Sequence, residues 1–223
     1  MDIKLLEQLF NGKTGDHQAE FNYLLSDIVL CDSYGLKTLP EIPDYFIDIG
    51  ANNGYTAIWF NYLYPGSKII ALEPHPKTYE RLVVNVKGLP ITTINKGLGD
   101  GSPLYLQDFG GTSNAYYNTN ETGESIETTT LRAVLGELQG SYYLKVDAEG
   151  GEKWLLHPDN LHYLLNADYT GIEYHPPDKI TRQEALDICF NIQKNHRITK
   201  SNWSLNNYGI ELSVKEINSE SNF

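Results

Sequence analysis

A carboxylate and two glycines occupy positions 48–54, directly after a short apolar run. Gly50 permits a positive φ and leaves no side chain between the backbone and a ligand, and Gly54 lets the start of a following helix pack close to the strand. Asn52 stands where a dinucleotide-binding loop needs its middle glycine, which disfavours a pyrophosphate ligand. Asp48 suits a ligand whose nearby end is cationic, such as an amino group or a sulfonium. The alternative is a tight strand–helix turn that binds no ligand.

A second carboxylate, Glu73, ends the next apolar run, 19 residues after Gly54. If the two runs are neighbouring parallel strands, Glu73 lies beside Gly50. An acidic residue at about this distance along the chain accepts hydrogen bonds from ribose hydroxyls in nucleotide-binding α/β folds. The two turns together therefore predict a nucleoside ligand, and the alternative for Glu73 is a solvated carboxylate in a loop.

Acidic and imidazole groups crowd the ends of two later apolar runs. The first run is followed by Asp147, Glu149 and Glu152, and the second ends at Glu173 and His175. Crowded carboxylates raise one another's pKa and favour the charged form of a neighbouring histidine, which can place a proton acceptor near neutral pH. We predict that His175 or Asp147 is the base that removes a proton from an acceptor.

Three other interpretations of this acidic segment stay open. In the first, Glu152 only complements the dipole of a first helical turn. In the second, His175 makes a hydrogen bond with a structural role. A divalent metal at this oxygen-rich rim is the third, but the spacing alone does not establish one, and we predict a site without metal.

The elements that must position these groups alternate between short apolar runs and amphipathic segments. The pattern predicts strands over 45–49, 68–72, 91–94, 142–146 and 167–174, helices over 55–63, 78–86, 152–165 and 180–194, and a C-terminal hairpin over 198–203 and 208–214. Continuous apolar strands that alternate with helices indicate a mostly parallel sheet with helices on both faces. Ligands of such sheets bind at the carboxyl ends of the strands, where all of these motifs lie.

One boundary and one long loop complete the predicted organisation. Residues 1–40 are predicted to form a helical N-terminal lead-in, and residues 41–223 a single α/β domain. The segment 108–127 is rich in Gly, Asn and Thr, and its length predicts a lid over the ligand, with Tyr116 and Tyr117 able to stack on a sugar. The alternative is a surface loop without a role.

Composition excludes several classes of protein. The chain has 223 residues, a hydrophobic fraction of 40% and a net charge of −12, which fits a globular protein and argues against nucleic acid as a partner. No apolar stretch is long enough for a membrane span. The two cysteines are far apart and the first residues do not read as a signal peptide, so we predict reduced thiols and a cytoplasmic location. Nothing in the sequence indicates an oligomeric state.

The combination of motifs resembles the FkbM-type family of S-adenosylmethionine-dependent methyltransferases. The resemblance rests on FIDIGANNGY at 46–55, LEP at 72–74, GD at 99–100, and LKVDAEGGE at 144–152, which has the family pattern Lys-x-Asp-x-Glu-Gly-x-Glu. It implies a seven-stranded Rossmann-like methyltransferase fold of strand order 3-2-1-4-5-7-6, in which strand 7 is antiparallel, and S-adenosylmethionine as the cofactor.

The resemblance also implies roles for single residues toward the cofactor. Its methionine part would lie along the backbone of Gly50 and Ala51, with Asp48 near its amino group, and Glu73 would hold the ribose hydroxyls. The turn that contains Leu98 lies where the family's adenine-contacting loop sits. The residues predicted to bind the cofactor are Asp48, Gly50, Ala51, Asn52, Gly54, Glu73, Leu98 and Asp147.

The resemblance implies an enzyme that methylates a hydroxyl of a sugar, a glycan or a small metabolite by in-line displacement. Positioning of the acceptor oxygen and removal of its proton are then the main tasks of the protein. We predict a small-molecule or glycan acceptor, no nucleic acid and no membrane span. The alternatives are a non-catalytic Rossmann-like binding module and an NAD-dependent oxidoreductase, against which Asn52 speaks.

Overall fold

The computed structural model describes residues 22, 25–107, 116–118, 123–136, 138–175, 180–203 and 209–215. Its strands are β1 (Tyr45–Ile49), β2 (Lys68–Leu72), β3 (Ile91–Ile94), β4 (Gly97–Leu98), β5 (Leu104–Gln107), β6 (Tyr116–Asn118), β7 (Glu124–Ile126), β8 (Thr128–Thr129), β9 (Tyr142–Val146), β10 (Tyr169–Tyr174), β11 (His196–Trp203) and β12 (Gly209–Lys215). Its α-helices are α1 (Tyr55–Leu63), α2 (Pro76–Asn85), α3 (Leu131–Leu135), α4 (Pro158–Asn166) and α5 (Arg182–Ile192). Short 3₁₀-helices span Leu36–Thr38 and Gly151–Leu156, and a π-helical turn spans Leu25–Leu30.

The central sheet has seven strands in the order β11-β12-β10-β9-β1-β2-β3. The pairs β3/β2, β2/β1, β1/β9 and β9/β10 are parallel, whereas β12 is antiparallel to both β10 and β11. With β9, β10, β11 and β12 as the fourth to seventh strands, the order is 3-2-1-4-5-7-6. The α/β fold class, the strand order and the antiparallel C-terminal hairpin that the sequence predicts are therefore confirmed.

The core lies on both faces of this sheet. In β1, Phe46 packs with α1 and α2 on one face, whereas Ile47 and Ile49 pack with α3, α4 and α5 on the other. This alternation follows from the period of two along a strand, and β9 divides its side chains between the two faces in the same way. Because both faces are covered, the central strands are mostly apolar, and polar residues within them, such as Asp48 and Lys145, are buried.

The helices begin where the sequence supplies a start signal. Pro76 is the first residue of α2, and the side chain of His75 before it accepts a hydrogen bond from the Thr78 N–H at 3.3 Å. Thr181 and Glu184 form a capping box at the start of α5. These caps fix the positions at which the chain leaves the carboxyl edge of the sheet.

Two predicted elements differ from those observed. The helix predicted over 152–165 is broken into a 3₁₀ segment and α4, because Pro158 has no N–H to continue a helix and instead starts the next one. Part of the loop predicted over 108–127 is strand, because β6 and β7 both pair antiparallel with β5. Residues 108–115 and 119–122 of that loop lie outside the described residues, as do the side chains of Tyr116 and Tyr117.

Of the predicted lead-in, the structure describes residue 22 and residues 25–40. The apolar repeat near the start of the chain and the turn of the C-terminal hairpin lie outside the described residues. The π-helical turn buries Ile28 and Val29, which join the core cluster of Phe46. The division of the chain at residue 40 stays a prediction.

Candidate active site

The loop between β1 and α1 crosses the end of β2. The N–H groups of Gly50 and Ala51 both donate to the carbonyl oxygen of Leu72, at 3.0 and 2.8 Å. Gly50 and Asn52 have φ values of 75° and 49°, so the backbone turns twice through the left-handed region. The bonds to β2 hold this turn against the sheet edge, where the next acidic residue follows.

Two close approaches explain the glycines of this loop. A Cβ on Gly50 would lie 1.7 Å from the carbonyl oxygen of Asp147, so only glycine lets the loop reach the end of β9. A Cβ on Gly54 would lie 2.6 Å from Cδ1 of Leu82 in α2. A side chain at Gly54 would thus meet α2, because α1 and α2 lie on the same face of the sheet. That this glycine lets the helix start pack close to the strand stays a prediction.

Glu73, at the end of β2, is a buried carboxylate bound to the first loop. It accepts hydrogen bonds from the N–H of Asn52 at 2.9 Å and from the N–H of His75 at 2.8 Å. Burial raises its pKa to about 7, although both N–H groups oppose the shift. Each carboxylate oxygen has a further lone pair, so Glu73 can also accept hydrogen bonds from hydroxyls of a ligand.

Asp48 is fully buried and forms an ion pair with Lys145 of β9. Nζ of Lys145 lies 3.0 Å from Oδ1 of Asp48 and donates to the carbonyl oxygen of Gly50 at 2.9 Å. Burial raises the pKa of Asp48, and Lys145 opposes this shift. Burial alone would lower the pKa of Lys145, but Asp48 and Asp147 outweigh it and the pKa is raised. The pair therefore joins β1, β9 and the first loop in one charged network.

Asp147 stands at the accessible end of this network. Its side chain is 29% exposed, and Oδ2 lies 3.5 Å from Nζ of Lys145. The Tyr34 hydroxyl donates to Oδ2 of Asp147 at 3.2 Å and to Oε2 of Glu173 at 2.7 Å. Burial, together with Asp147, raises the pKa of Glu173 to about 8. Tyr34 thereby connects the ends of β9 and β10 from the side of the lead-in.

His175 lies between carboxylates that come from the loop after β9. Nδ1 is 2.9 Å from Oε1 of Glu152, and Nε2 is 3.3 Å from Oε2 of Glu149 and 3.6 Å from Oδ1 of Asp147. Glu152 is wholly buried and also accepts the N–H groups of Ala148 and Gly150, which fixes the loop. Burial alone would lower the pKa of His175, but Glu152 and Glu149 outweigh it, and the pKa lies well above its usual range.

Leu98 belongs to a different part of the edge. It is buried in the core cluster of α3 and α4, and β4 pairs with β8 through the register of Leu98 and Thr129. A Cβ on Gly151 would lie 3.9 Å from the carbonyl oxygen of Leu98, so β4 borders the loop after β9. The side chain of Leu98 thus packs in the core, and its carbonyl oxygen lies beside Gly151.

The structure brings most predicted site residues to one sheet edge. Lys145 contacts the side chains of Asp48 and Asp147 and the carbonyl oxygen of Gly50. Glu73 binds the N–H of Asn52. Sequence reasoning missed the roles of Lys145 and Tyr34. Lys145 is part of the quoted motif, but its position beside Asp48 is set by the register of β1 and β9, whereas Tyr34 carries no signal in the sequence.

The residues present fit a nucleoside cofactor at the first loop. Oδ1 of Asn52 is buried and has no hydrogen-bond partner in the described part of the chain. It belongs to the residue whose backbone N–H binds Glu73, so one residue supplies an unpaired acceptor and a contact to the carboxylate. Ribose hydroxyls, which donate hydrogen bonds, would satisfy both groups.

Comparisons with solved structures agree with this fold. An O-methyltransferase from Bacillus cereus in complex with SAH is 13% identical, with a TM-score of 0.54 over 97% of this chain and 92% of that one. The Methanococcus jannaschii fibrillarin pre-rRNA processing protein is 13% identical, with a TM-score of 0.50 over 86% of this chain and 76% of that one. At these identities the likeness concerns the fold alone.

Sequence comparison identifies the family. Among curated proteins none matches the chain significantly. In the described residues, no helix has the length and apolar character needed to cross a membrane. A family model for the methyltransferase FkbM domain matches residues 48–188, which include the first loop and the ends of β2, β9 and β10. The chain therefore belongs to the FkbM family of methyltransferases, with S-adenosylmethionine as its cofactor.

Proposed function

We propose that the protein methylates a hydroxyl oxygen of a sugar, a glycan or a small metabolite. The observation that carries this proposal is the position of Asp147, whose carbonyl oxygen packs on Gly50 while its side chain is 29% exposed. One residue thus borders the cofactor loop on one side and the accessible rim on the other. An acceptor bound at this rim would lie next to the cofactor.

The first loop and the end of β2 would hold the cofactor. Glu73 and Oδ1 of Asn52 would bind the ribose hydroxyls, and the turn at Gly50 and Ala51 would lie along the methionine part. Asp48 is proposed to act near the cofactor's amino group through ordered water, because its carboxylate is fully buried. The remaining proposed contacts are those of Gly54 and Leu98, through the backbone.

When bound, S-adenosylmethionine supplies an electrophilic methyl group on a positively charged sulfur. The chain has to align the acceptor oxygen and accept its proton. We propose Asp147 rather than His175 as the direct acceptor of that proton, since both ring nitrogens of His175 already face carboxylates. His175 would then act by positioning Asp147 and Glu149.

The charge of the chain supports a neutral or cationic acceptor. A net charge of −12 disfavours polyanions, so we retain the proposals of a small-molecule or glycan acceptor and of no nucleic-acid partner. A cytoplasmic location also stays a proposal. It is supported by the two free cysteines, of which Cys31 is exposed and Cys189 is buried.

Transfer of a labelled methyl group tests the proposed reaction. The protein is incubated with methyl-labelled S-adenosylmethionine and a panel of sugars, glycosides and hydroxylated metabolites, with an RNA oligonucleotide as the comparison. We expect label in a hydroxyl compound and none in RNA. Binding of S-adenosylhomocysteine without transfer to any compound would favour a non-catalytic binding module, and transfer to RNA alone would contradict the proposed acceptor class.

A further inference from the structure

Three side chains at the carboxyl ends of β9 and β10 point their ligand atoms at one another. Asp147, Glu149 and His175 each offer one oxygen or nitrogen, and these atoms all lie within 4.8 Å of one another. Nε2 of His175 is 3.3 Å from Oε2 of Glu149 and 3.6 Å from Oδ1 of Asp147. Ligands held about 2.1 Å from a metal ion stand roughly 3.0–3.4 Å apart at octahedral or tetrahedral angles, so small side-chain movements would complete a site.

The orientation of His175 is fixed from behind by a buried carboxylate. Oε1 of Glu152 lies 2.9 Å from Nδ1, and Glu152 is itself fully buried and held by backbone N–H groups. Histidines that bind metals commonly donate their second ring N–H to such a carboxylate, which sets the tautomer and leaves Nε2 for the ion. Glu152 therefore holds Nε2 toward the two carboxylates at the rim.

Asp147 has a separate oxygen for each neighbour. Oδ2 accepts a hydrogen bond from the Tyr34 hydroxyl and faces Lys145, whereas Oδ1 faces His175. The Lys145 charge is also shared with the fully buried Asp48, at the shorter distance of 3.0 Å. Carboxylates therefore outnumber the cations at the ends of β9 and β10, and a bound cation would reduce that excess of negative charge.

We propose that Asp147, Glu149 and His175 bind a divalent metal ion of the Mn²⁺ class at the rim of the acceptor site. Two carboxylates and one imidazole suit such an ion, and the remaining coordination positions face the rim, where Asp147 and Glu149 are 29% and 24% exposed. Binding replaces a proton on Nε2 of His175, which passes to solvent.

The consequence for catalysis rests on the proposed function. An acceptor hydroxyl that coordinates the ion has a lowered pKa and releases its proton to the water at the rim. The ion would then take over the task assigned above to the carboxylate of Asp147, which would serve as its ligand.

Mn²⁺ binding to the whole chain tests the site without any assay of activity. The free-ion EPR signal is followed while the protein is added, for the wild type and for D147N and E149Q. The matched controls are D159N and E127Q, which make the same changes at carboxylates paired with Arg132 and Lys96 away from the cluster. We expect the wild type and both controls to bind one ion per chain and both cluster variants to bind at least tenfold more weakly.

The inference is overturned if the wild type leaves the free-ion signal unchanged, or if D147N and E149Q bind as tightly as the controls. In the first case His175 is simply the buried cation of the carboxylates around it. Calorimetric titration of the same samples with S-adenosylhomocysteine tests cofactor binding independently of the metal. A wild type that binds the nucleoside but does not bind Mn²⁺ would leave the methyltransferase proposal standing and remove the metal site.

Discussion

Replacement of Lys145 by methionine tests the buried network that joins β1 to β9. The substitution removes a charge that lies 3.0 Å from Asp48 and leaves a carboxylate with no exposed surface unpaired. Loss of one partner of a buried ion pair costs about 3–5 kcal/mol. For a domain of this length, each kcal/mol shifts Tm by about 2–4 °C, so we expect a decrease of roughly 6–20 °C.

The assay is urea unfolding at pH 5 and pH 8, with three comparison variants. K68M removes an exposed lysine, whose Nζ is 3.4 Å from the Tyr45 hydroxyl, and should leave the free energy of unfolding within about 0.5 kcal/mol of the wild type. D48N/K145M should be more stable than K145M, because it removes the unpaired charge. The loss in K145M should be smaller at pH 5, where Asp48 can take up a proton.

A loss below about 1 kcal/mol in K145M would refute this reasoning, since such a value is typical of an exposed pair. Equal stability of K145M and D48N/K145M would also refute it. Either result would mean that Asp48 is hydrated in solution, and that the ion pair does not fix the carbonyl of Gly50.

Three further predictions concern the same sheet edge. The pKa of Glu73 is raised from 4.5 to about 7, so the free energy of unfolding of the ligand-free protein should fall by about 3 kcal/mol as the pH rises from 4 through 8. Urea titrations of E73Q should lack this decrease. The same dependence of stability on pH in E73Q and the wild type would contradict the prediction. H175A should retain S-adenosylhomocysteine binding in calorimetry and slow methyl transfer at least tenfold; unchanged turnover would show that His175 has no such role. G50A should destabilise the protein by roughly 2–4 kcal/mol, because the added Cβ meets the Asp147 carbonyl. The Cβ of G66A meets no atom within 4 Å, so this variant should keep the stability of the wild type. Equal melting temperatures of the two variants would argue against the close approach of Gly50 to Asp147.

The central sheet could be predicted because each strand is a separate apolar run. Strands such as Tyr45–Ile49 and Lys68–Leu72 are largely buried on both faces, so their sequences are mostly apolar, with Asp48 as the polar residue inside β1. Their parallel order follows from the helices between them. The broken helix was missed although Pro158 marks the break, because the apolar spacing continues across it. The helical period alone does not report where a new helix starts.

Contacts between distant segments were the part that the sequence could not provide. Tyr34 reaches Asp147 and Glu173 across more than a hundred residues, and a tyrosine in an unremarkable segment gives no indication of such a partner. The charge of Asp48 was correctly placed at the end of a strand, but its pairing with Lys145 depends on the register of β1 and β9. A carboxylate expected to face a ligand thus proves to be covered by a side chain of its own chain.

A crystal structure of the complex with S-adenosylhomocysteine tests the central claim most directly. We predict that the ribose hydroxyls lie within hydrogen-bond distance of Glu73 and Oδ1 of Asn52, that the methionine part follows Gly50, and that the sulfur faces the rim at Asp147. A nucleoside bound elsewhere, or a first loop that holds no nucleoside in the presence of saturating ligand, would contradict the account.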